Sequence, residues 1–302
     1  MADKQNNKAA IVICADKGVF IFLIGLLRSL LSLNRSRYAI CIIDVGLTEE
    51  QRDYLCGAYD HIQKVSDDLL ILPHPQILAV LNENVPFWRA QMCRPFLRDY
   101  FPGYKNYIHL DGDTWFQNVG MLDAVVDQME EGKIVIVPEA DAAYPFLNSS
   151  EKNYEYFIGR HKLLTSLFDV EIEKLAATLP YYNTGLFCMP YDVPHWDLFR
   201  EYLSQCIAKG YQFLVEQLAF NVAMLIGKNY VLLPATCNWL CNAATPIKNE
   251  RGMWCSPVYP FSEIDLLHLS GHEKLERYSK LGLLYEDGHY IDEIRHLLPP
   301  NK

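Results

Sequence analysis

Three apolar runs near the start of the chain, each closed off by charge or glycine, set what it can fold into. Ala9 to Ala15 is short, β-branched at its centre and stopped by Asp16. Phe20 to Leu33 is long enough for a helix and is broken by Arg35 to Arg37. Tyr38 to Val45, with Ala39 to Ile43 as its apolar run, ends at Gly46. Short unbroken apolar runs suit strands buried on both faces, so the segment reads strand–helix–strand. The pattern continues. Thr48-Glu49-Glu50-Gln51 looks like a helix start with Thr48 as cap and Gln51 at the third position, and Leu69 to Leu72 reads as a third strand. Strands alternating with helices predict a mostly parallel sheet covered by helices.

Downstream, Trp88 to Tyr100 reads as a helix stopped by Pro102-Gly103. Lys105 to Leu110, Lys133 to Pro138, Leu186 to Pro190 and Val231 to Pro234 read as strands. Gln212 to Ile226 reads as a helix, with Leu214, Leu218, Val222 and Leu225 at helical spacing. Residues 1–8 are polar and expected to be disordered. No repeat, low-complexity tract or linker divides the rest, so a single α/β domain over 1–302 is expected. Ligands of such sheets gather at the carboxyl ends of the strands.

Composition excludes several functions. Of 302 residues, half are apolar and 21% charged, which is the composition of a folded chain. The net charge of −10 argues against a protein that clamps nucleic acid, because phosphate neutralisation needs excess Lys and Arg. A small phosphate-bearing ligand stays open, since a local site can oppose the global sign. The nine cysteines are odd in number and scattered through apolar runs, as expected of reduced thiols in a cytoplasmic protein. Cys237 and Cys241 have no second pair to complete a zinc site. The longest uninterrupted apolar stretch near the start, Val19 to Leu27, is far short of the ~20 residues that span a bilayer. Flanking Asp16, Lys17 and Arg28 deny it the continuous core of a signal peptide.

The segment that points to chemistry is Asn106-Tyr-Ile-His-Leu-Asp111-Gly-Asp113-Thr114. An apolar strand ends and two carboxylates follow, with one small residue between them. Both can reach one divalent ion at the strand's carboxyl end, and hard oxygens suit Mg²⁺ or Mn²⁺. Such an ion would hold a diphosphate and offset the charge of a leaving nucleoside diphosphate. The bland reading is a loop of solvated or capping carboxylates, and Glu139/Asp141, Asp169/Glu171 and Glu263/Asp265 share the same spacing. Position at a strand end singles out 111 and 113. A haloacid dehalogenase-type phosphatase also uses Asp-x-Asp, but its Thr or Val falls two residues after the second Asp, whereas Thr114 is adjacent.

With these residues in view, the sequence resembles the family 8 glycosyltransferases, retaining enzymes of GT-A type, over about residues 10–275. Ile11 to Asp16 is similar to the family's first strand, whose end (Ala15 and Asp16 here) touches the nucleotide base. Asp16 equally suits a cap on the following helix. Lys17-Gly18 departs from the family's further Asp or Asn. Met92-Cys93-Arg94 resembles the block whose arginine sits beside the diphosphate and the acidic motif. Its guanidinium suits carboxylate or phosphate, and an ordinary ion pair is the alternative. Asp111-Gly112-Asp113 resembles the family's Asp-x-Asp, with a glycine that leaves room for phosphate.

Four further blocks follow in order. Glu139-Ala140-Asp141 resembles the block whose Asp contacts the transferred sugar, and Tyr182-Asn183-Thr184-Gly185 the one that lines the sugar pocket. In Glu216-Gln217-Leu-Ala-Phe-Asn221, Gln217 and Asn221 share a helix face beside the apolar stripe. The resemblance puts Glu216 and Gln217 under the anomeric carbon. His268-Leu-Ser-Gly271-His-Glu-Lys274 resembles His-x-x-Gly-x-x-Lys, with Leu275-Glu276 where Pro-Trp is usual. There the resemblance implies that His268 joins Asp111 and Asp113 on the metal, and that Lys274 meets the diphosphate. His268 lies 155 positions after Asp113 (268 − 113), so only the fold can unite them.

The resemblance implies one GT-A (Rossmann-like) domain with a central mixed, mostly parallel sheet. Residues 9–120 would form the nucleotide-binding half and 121–302 the sugar and acceptor half. It implies a Mn²⁺- (or Mg²⁺-) dependent, retaining hexosyl transfer from a UDP-sugar to a glycan, lipid-linked or small-molecule acceptor. The departures at Lys17, Leu218 and Leu275 motivate a rival, a non-catalytic nucleotide or glycan binder on the same scaffold. A sugar-nucleotide pyrophosphorylase needs a Gly-rich basic loop after the first strand, where only Gly18 stands. The tail from Glu273 mixes charge signs, so only weak peripheral membrane contact is expected.

Overall fold

A computed structural model describes residues 9–34, 36–56, 61–64, 66–70, 85–176, 179–210, 214–271, 273–283 and 294–298. The described strands are β1 (Ala9–Asp16), β2 (Tyr38–Gly46), β3 (His61–Lys64), β4 (Asn106–Asp111), β5 (Thr114–Phe116), β6 (Ile134–Pro138), β7 (Tyr182–Pro190), β8 (Tyr230–Leu232) and β9 (Trp239–Leu240), followed by β10 (Ile247–Lys248), β11 (Trp254–Cys255) and β12 (Leu266–His268). The principal helices are α1 (Phe20–Ser29), α2 (Glu49–Leu55), α3 (Val85–Met92), α4 (Met121–Glu130), α5 (Ser150–Leu167), α6 (His195–Lys209), α7 (Val215–Gly227) and α8 (Lys274–Lys280).

Seven strands form the central sheet in the order β3-β2-β1-β4-β7-β6-β8. The pairs from β3 to β4 are parallel, β7 runs antiparallel to both β4 and β6, and β8 returns parallel to β6. The sheet is therefore mixed and mostly parallel, as the sequence predicts. A side-chain period of two divides β1 between the sheet's faces. Ala10, Val12 and Cys14 join the core on one side, and Ala9, Ile11, Ile13 and Ala15 the core on the other. A second, three-stranded sheet, β5-β12-β9, stands at the carboxyl end of β4.

The early elements follow the sequence closely. The apolar N-terminal stretch is strand plus buried helix, and among the described residues no helix is long and apolar enough to cross a membrane. Thr48 caps α2 in a full capping box with Gln51. All nine cysteines are free thiols, and all but Cys56 are buried.

Two expectations need correcting. Leu69 ends a 3₁₀ turn, Asp67–Leu69, rather than starting a strand, while Ile71 and Leu72 lie outside the described residues. The third parallel strand is His61–Lys64, mostly exposed and polar because it forms the sheet's outer edge, where charge discourages further pairing. The helix expected over Trp88 to Tyr100 breaks into α3, a 3₁₀ turn at Arg94–Phe96 and a last turn at Leu97–Tyr100. Pro95 has no N–H for a helical bond and interrupts the ladder there. The disorder expected for residues 1–8, and much of the mixed-charge tail, fall outside the described residues.

Helix α8 is seated on α1 at Gly25. A Cβ at that glycine would stand 1.9 Å from the Tyr278 hydroxyl, and Tyr278 also packs edge-on against Phe22 at 5.3 Å. The close approach fixes the helix whose first residue is Lys274.

Candidate active site

The carboxyl end of β4 carries two functional side chains on one face. His109 and Asp111 are two apart, so both point the same way, and His109 Nε2 lies 3.3 Å from Asp111 Oδ1. The chain then turns through Gly112 and Asp113 into β5. A Cβ at Gly112 would meet only ordinary contacts of 3.5 Å or more, so the protein itself does not require glycine there. Thr114 of β5 pairs with His268 of β12, and Leu269 N–H bonds the Asp113 carbonyl at 3.0 Å. This antiparallel pairing is what closes the 155-residue gap.

The result is a compact donor cluster. Asp111, Asp113 and His268 each offer one ligand atom, and these atoms all lie within 4.8 Å of one another. His268 Nε2 stands 3.5 Å from Asp113 Oδ1 and 3.7 Å from Asp111 Oδ2. Two carboxylates and an imidazole fit a divalent ion, Mn²⁺ better than Mg²⁺ because of the nitrogen.

Two cations border the cluster. Lys274 Nζ lies 2.6 Å from Asp113 Oδ2. Arg94, only 7% exposed at the break after α3, bridges Asp111 and Glu216, donating to Glu216 Oε2 at 2.7 Å and to Thr184 Oγ1 at 2.9 Å. Glu216 and Gln217 occupy the first turn of α7, where the helix dipole favours a negative group. The second oxygen of Glu216 is buried with no protein partner.

An amide layer lies beneath. Glu139 Oε1 accepts from Asn183 Nδ2 at 2.7 Å and Gln217 Nε2 at 2.8 Å. Asn183 Oδ1 accepts from Gly185 N–H and from Asn238 Nδ2, both at 2.8 Å, and Asn238 Oδ1 faces His268 Nδ1 at 3.1 Å. Glu139 and Asn238 were not singled out by sequence reasoning. For Glu139 a signal existed, because it directly follows β6. Gly185 leaves the His268 ring its space, since a Cβ there would lie 2.3 Å from Cε1.

The remaining sequence candidates sit at the margins. Asp16 Oδ1 accepts the N–H groups of Gly18 and Val19 at 2.7 and 3.0 Å, closing the turn into α1, and Ala15 is buried beside it. Asp141 Oδ1 accepts from Ala143 N–H at 2.9 Å, in the turn after β6. Gly271 adopts φ +81°, and a Cβ there would come 3.1 Å from Asn242 Nδ2. Asn221 clamps β7 to α7, accepting from Tyr182 N–H and donating to the Tyr182 carbonyl.

The electrostatics follow from burial and neighbours. Burial alone would raise Asp111 and Asp113. Arg94, with His109 and His268, instead holds Asp111 well below the usual carboxylate range, and His268 and Lys274 hold Asp113 at about 2. Burial dominates at Glu216, which is pushed up to about 7 despite Arg94, and it raises Glu139 despite its two amide partners. A raised folded-state value means that, as pH rises from 4.5 towards 7, the folded chain holds a proton the unfolded chain has released. That stability is present at the acidic end and lost as pH rises through about 7. The two aspartates act only below 3.8, outside this window. Glu216→Gln is expected to flatten the profile between pH 5 and 8 by about 3 kcal/mol. Urea midpoints across that range check it.

Compared with family models and with curated protein sequences, the chain matches none. Solved structures do resemble it. The galactosyltransferase LgtC, in complex with donor and acceptor sugar analogs, matches with a TM-score of 0.54 and 14% identity over 96% of this chain and all of that one. WbbM, a bifunctional glycosyltransferase, matches at 0.61 and 14% identity over 97% of this chain and 52% of that one. At such identities the likeness is one of architecture. Together with the mixed seven-stranded sheet and its helices, it assigns this chain the GT-A fold shared by those glycosyltransferases.

Proposed function

We propose that the chain is a metal-dependent glycosyltransferase that moves a hexose from a UDP-sugar to an acceptor hydroxyl with retention of configuration. The observation that carries this reading is the meeting of Asp111, Asp113 and His268 at the end of β4, with Lys274 and Arg94 beside them. A bound Mn²⁺ (or Mg²⁺) supplies positive charge toward a departing diphosphate, for which the three residues are suitable ligands. Lys274 donates to the same diphosphate, and Arg94 adds fixed charge. Such preorganised charge is the largest expected catalytic contribution. Asn183, Glu216, Gln217 and Asp141 orient the sugar, and Ala15, Asp16, Gly112, Gly185 and Gly271 shape the nucleotide and phosphate cradle. Residues 9–120 serve the nucleotide and 121–302 the sugar and acceptor within one domain. LgtC, of the same fold, binds donor and acceptor sugar analogs, which supports a donor and an acceptor as the ligands. Nine free thiols suit a cytoplasmic setting.

The test is Mn²⁺-dependent hydrolysis of UDP-sugars, with EDTA as control. Asp113→Ala is expected to lower turnover by at least about 10²–10³-fold. NMR of the first-formed glycoside is expected to show the donor's own anomer, and an inverted product sinks the retaining assignment. UDP binding without turnover over a donor and acceptor panel would make the chain a binder on this fold.

A further inference from the structure

Hydrogen-bond direction in the amide layer can be read from one unambiguous donor. The Gly185 backbone N–H can only donate, and it donates to Asn183 at 2.8 Å. The atom it meets is therefore the Asn183 oxygen, which leaves the Asn183 amide nitrogen for Glu139. The carboxylate of Glu139 agrees from the other end, because it can only accept at 2.7 Å. The Asn183 oxygen also faces Asn238, which must present its own nitrogen there at 2.8 Å. The Asn238 oxygen is then left for His268 Nδ1 at 3.1 Å. An amide oxygen only accepts, so the ring proton belongs on Nδ1.

We infer that Asn238 is a positioning residue that fixes His268 as its Nδ1–H tautomer, with the Nε2 lone pair aimed at Asp111 and Asp113. This rests on the reading of that cluster as a cation site. Nε2 faces Asp113 Oδ1 at 3.5 Å and Asp111 Oδ2 at 3.7 Å, the side on which the three ligand atoms converge. Asn238 is 1% exposed and His268 4%, so water does not offer either group a competing partner. A neutral imidazole whose other nitrogen donates to a fixed acceptor is the form that ligates a metal, and such outer partners set ring orientation and ligand strength. Glu139 anchors the far end of the chain and ties Gln217 to it, so the amide under the proposed sugar and the proposed metal ligand are oriented by one network.

The experiment uses full-length protein carrying ¹⁵N-histidine, free of metal, at pH 8. Long-range ¹H–¹⁵N spectra are expected to show His268 protonated on Nδ1 alone, with the assignment made by its loss in His268→Gln. A proton on Nε2 overturns the inference. Mn²⁺ affinity is then measured by the EPR signal of free Mn²⁺. Asn238→Leu is expected to weaken binding about 10- to 100-fold and to abolish the single-tautomer signature. Asn238→Asp, which keeps an oxygen toward Nδ1 while giving up the donor to Asn183, is expected to hold the tautomer and to bind more tightly than Asn238→Leu. This arm separates the lost hydrogen bond from a general loss of packing. Unchanged affinity and tautomer in Asn238→Leu also overturn the inference. Wild-type protein that shows the Nδ1–H tautomer but binds no Mn²⁺, with the tautomer lost in Asn238→Leu, counts against the cation reading and for the role of Asn238.

Discussion

Arg94→Met is expected to cost about 3–5 kcal/mol of folding stability, far more than the loss of one surface ion pair. The guanidinium sits between Asp111 and Glu216, bonds Thr184 as well, and is itself buried. Methionine approximates its length but leaves two carboxylates facing one space with no cation. Burial already pushes Glu216 up to about 7 with Arg94 in place. Without it, Glu216 is expected to stay protonated across the neutral range. The double variant Arg94→Met/Glu216→Leu should recover part of the loss, because it removes the buried carboxyl group left without its donor. Urea denaturation of the four members of this cycle measures the coupling. Additive costs for the two substitutions would show that Arg94 matters by packing alone.

Gly185→Ala removes no functional atom, yet it is expected to disable the site. The new methyl would stand 2.3 Å from His268 Cε1, 2.7 Å from Nδ1 and 2.8 Å from Asn183 Oδ1. Gly185 lies within β7, next to Leu186, where the pairing with β4 ends, and its own N–H is held by Asn183 Oδ1 at 2.8 Å. The imidazole must move, and with it both the contact to Asn238 and the distances to Asp111 and Asp113. Overpacking of this kind costs about 1–3 kcal/mol, and displacing the ring should weaken Mn²⁺ binding by at least about 10-fold. Calorimetric titration with Mn²⁺ and a thermal melt of the metal-free protein check the two parts. Full affinity in the alanine variant would show that the ring does not contribute to the cation site.

Much of this is legible in the sequence, for reasons that differ by residue. The strand–helix–strand opening is encoded in short apolar runs, and burial on both sheet faces is what makes such runs readable. Asp111 and Asp113 were visible because they interrupt an apolar strand at its end. His268 was visible only through the resemblance of its Gly and Lys spacing, since β5–β12 pairing is a long-range fact that no local pattern states. The Arg94 break was available in principle from Pro95, but the apolar residues on either side concealed it. Edge strand His61–Lys64 is polar and carries no apolar run, whereas Leu69–Leu72 carries one without starting a strand at Leu69. Between Glu139 and Asp141 the sequence offered no choice by charge. Geometry gives Glu139 the two amide partners and Asp141 a turn. Asn238 ends a 3₁₀ turn and is uncharged, so nothing local marked it.

The pairing of Thr114 with His268 has one more consequence. Side chains alternate along a strand, so a shift of β12 against β5 by a single residue would turn the imidazole to the opposite face of that small sheet. Nothing partial is available. A misregistered or half-assembled chain has two carboxylates without the His268 nitrogen, whereas the correctly registered chain has all three ligands. Affinity for a divalent ion thus doubles as a reading of whether the join between β5 and β12 has been made.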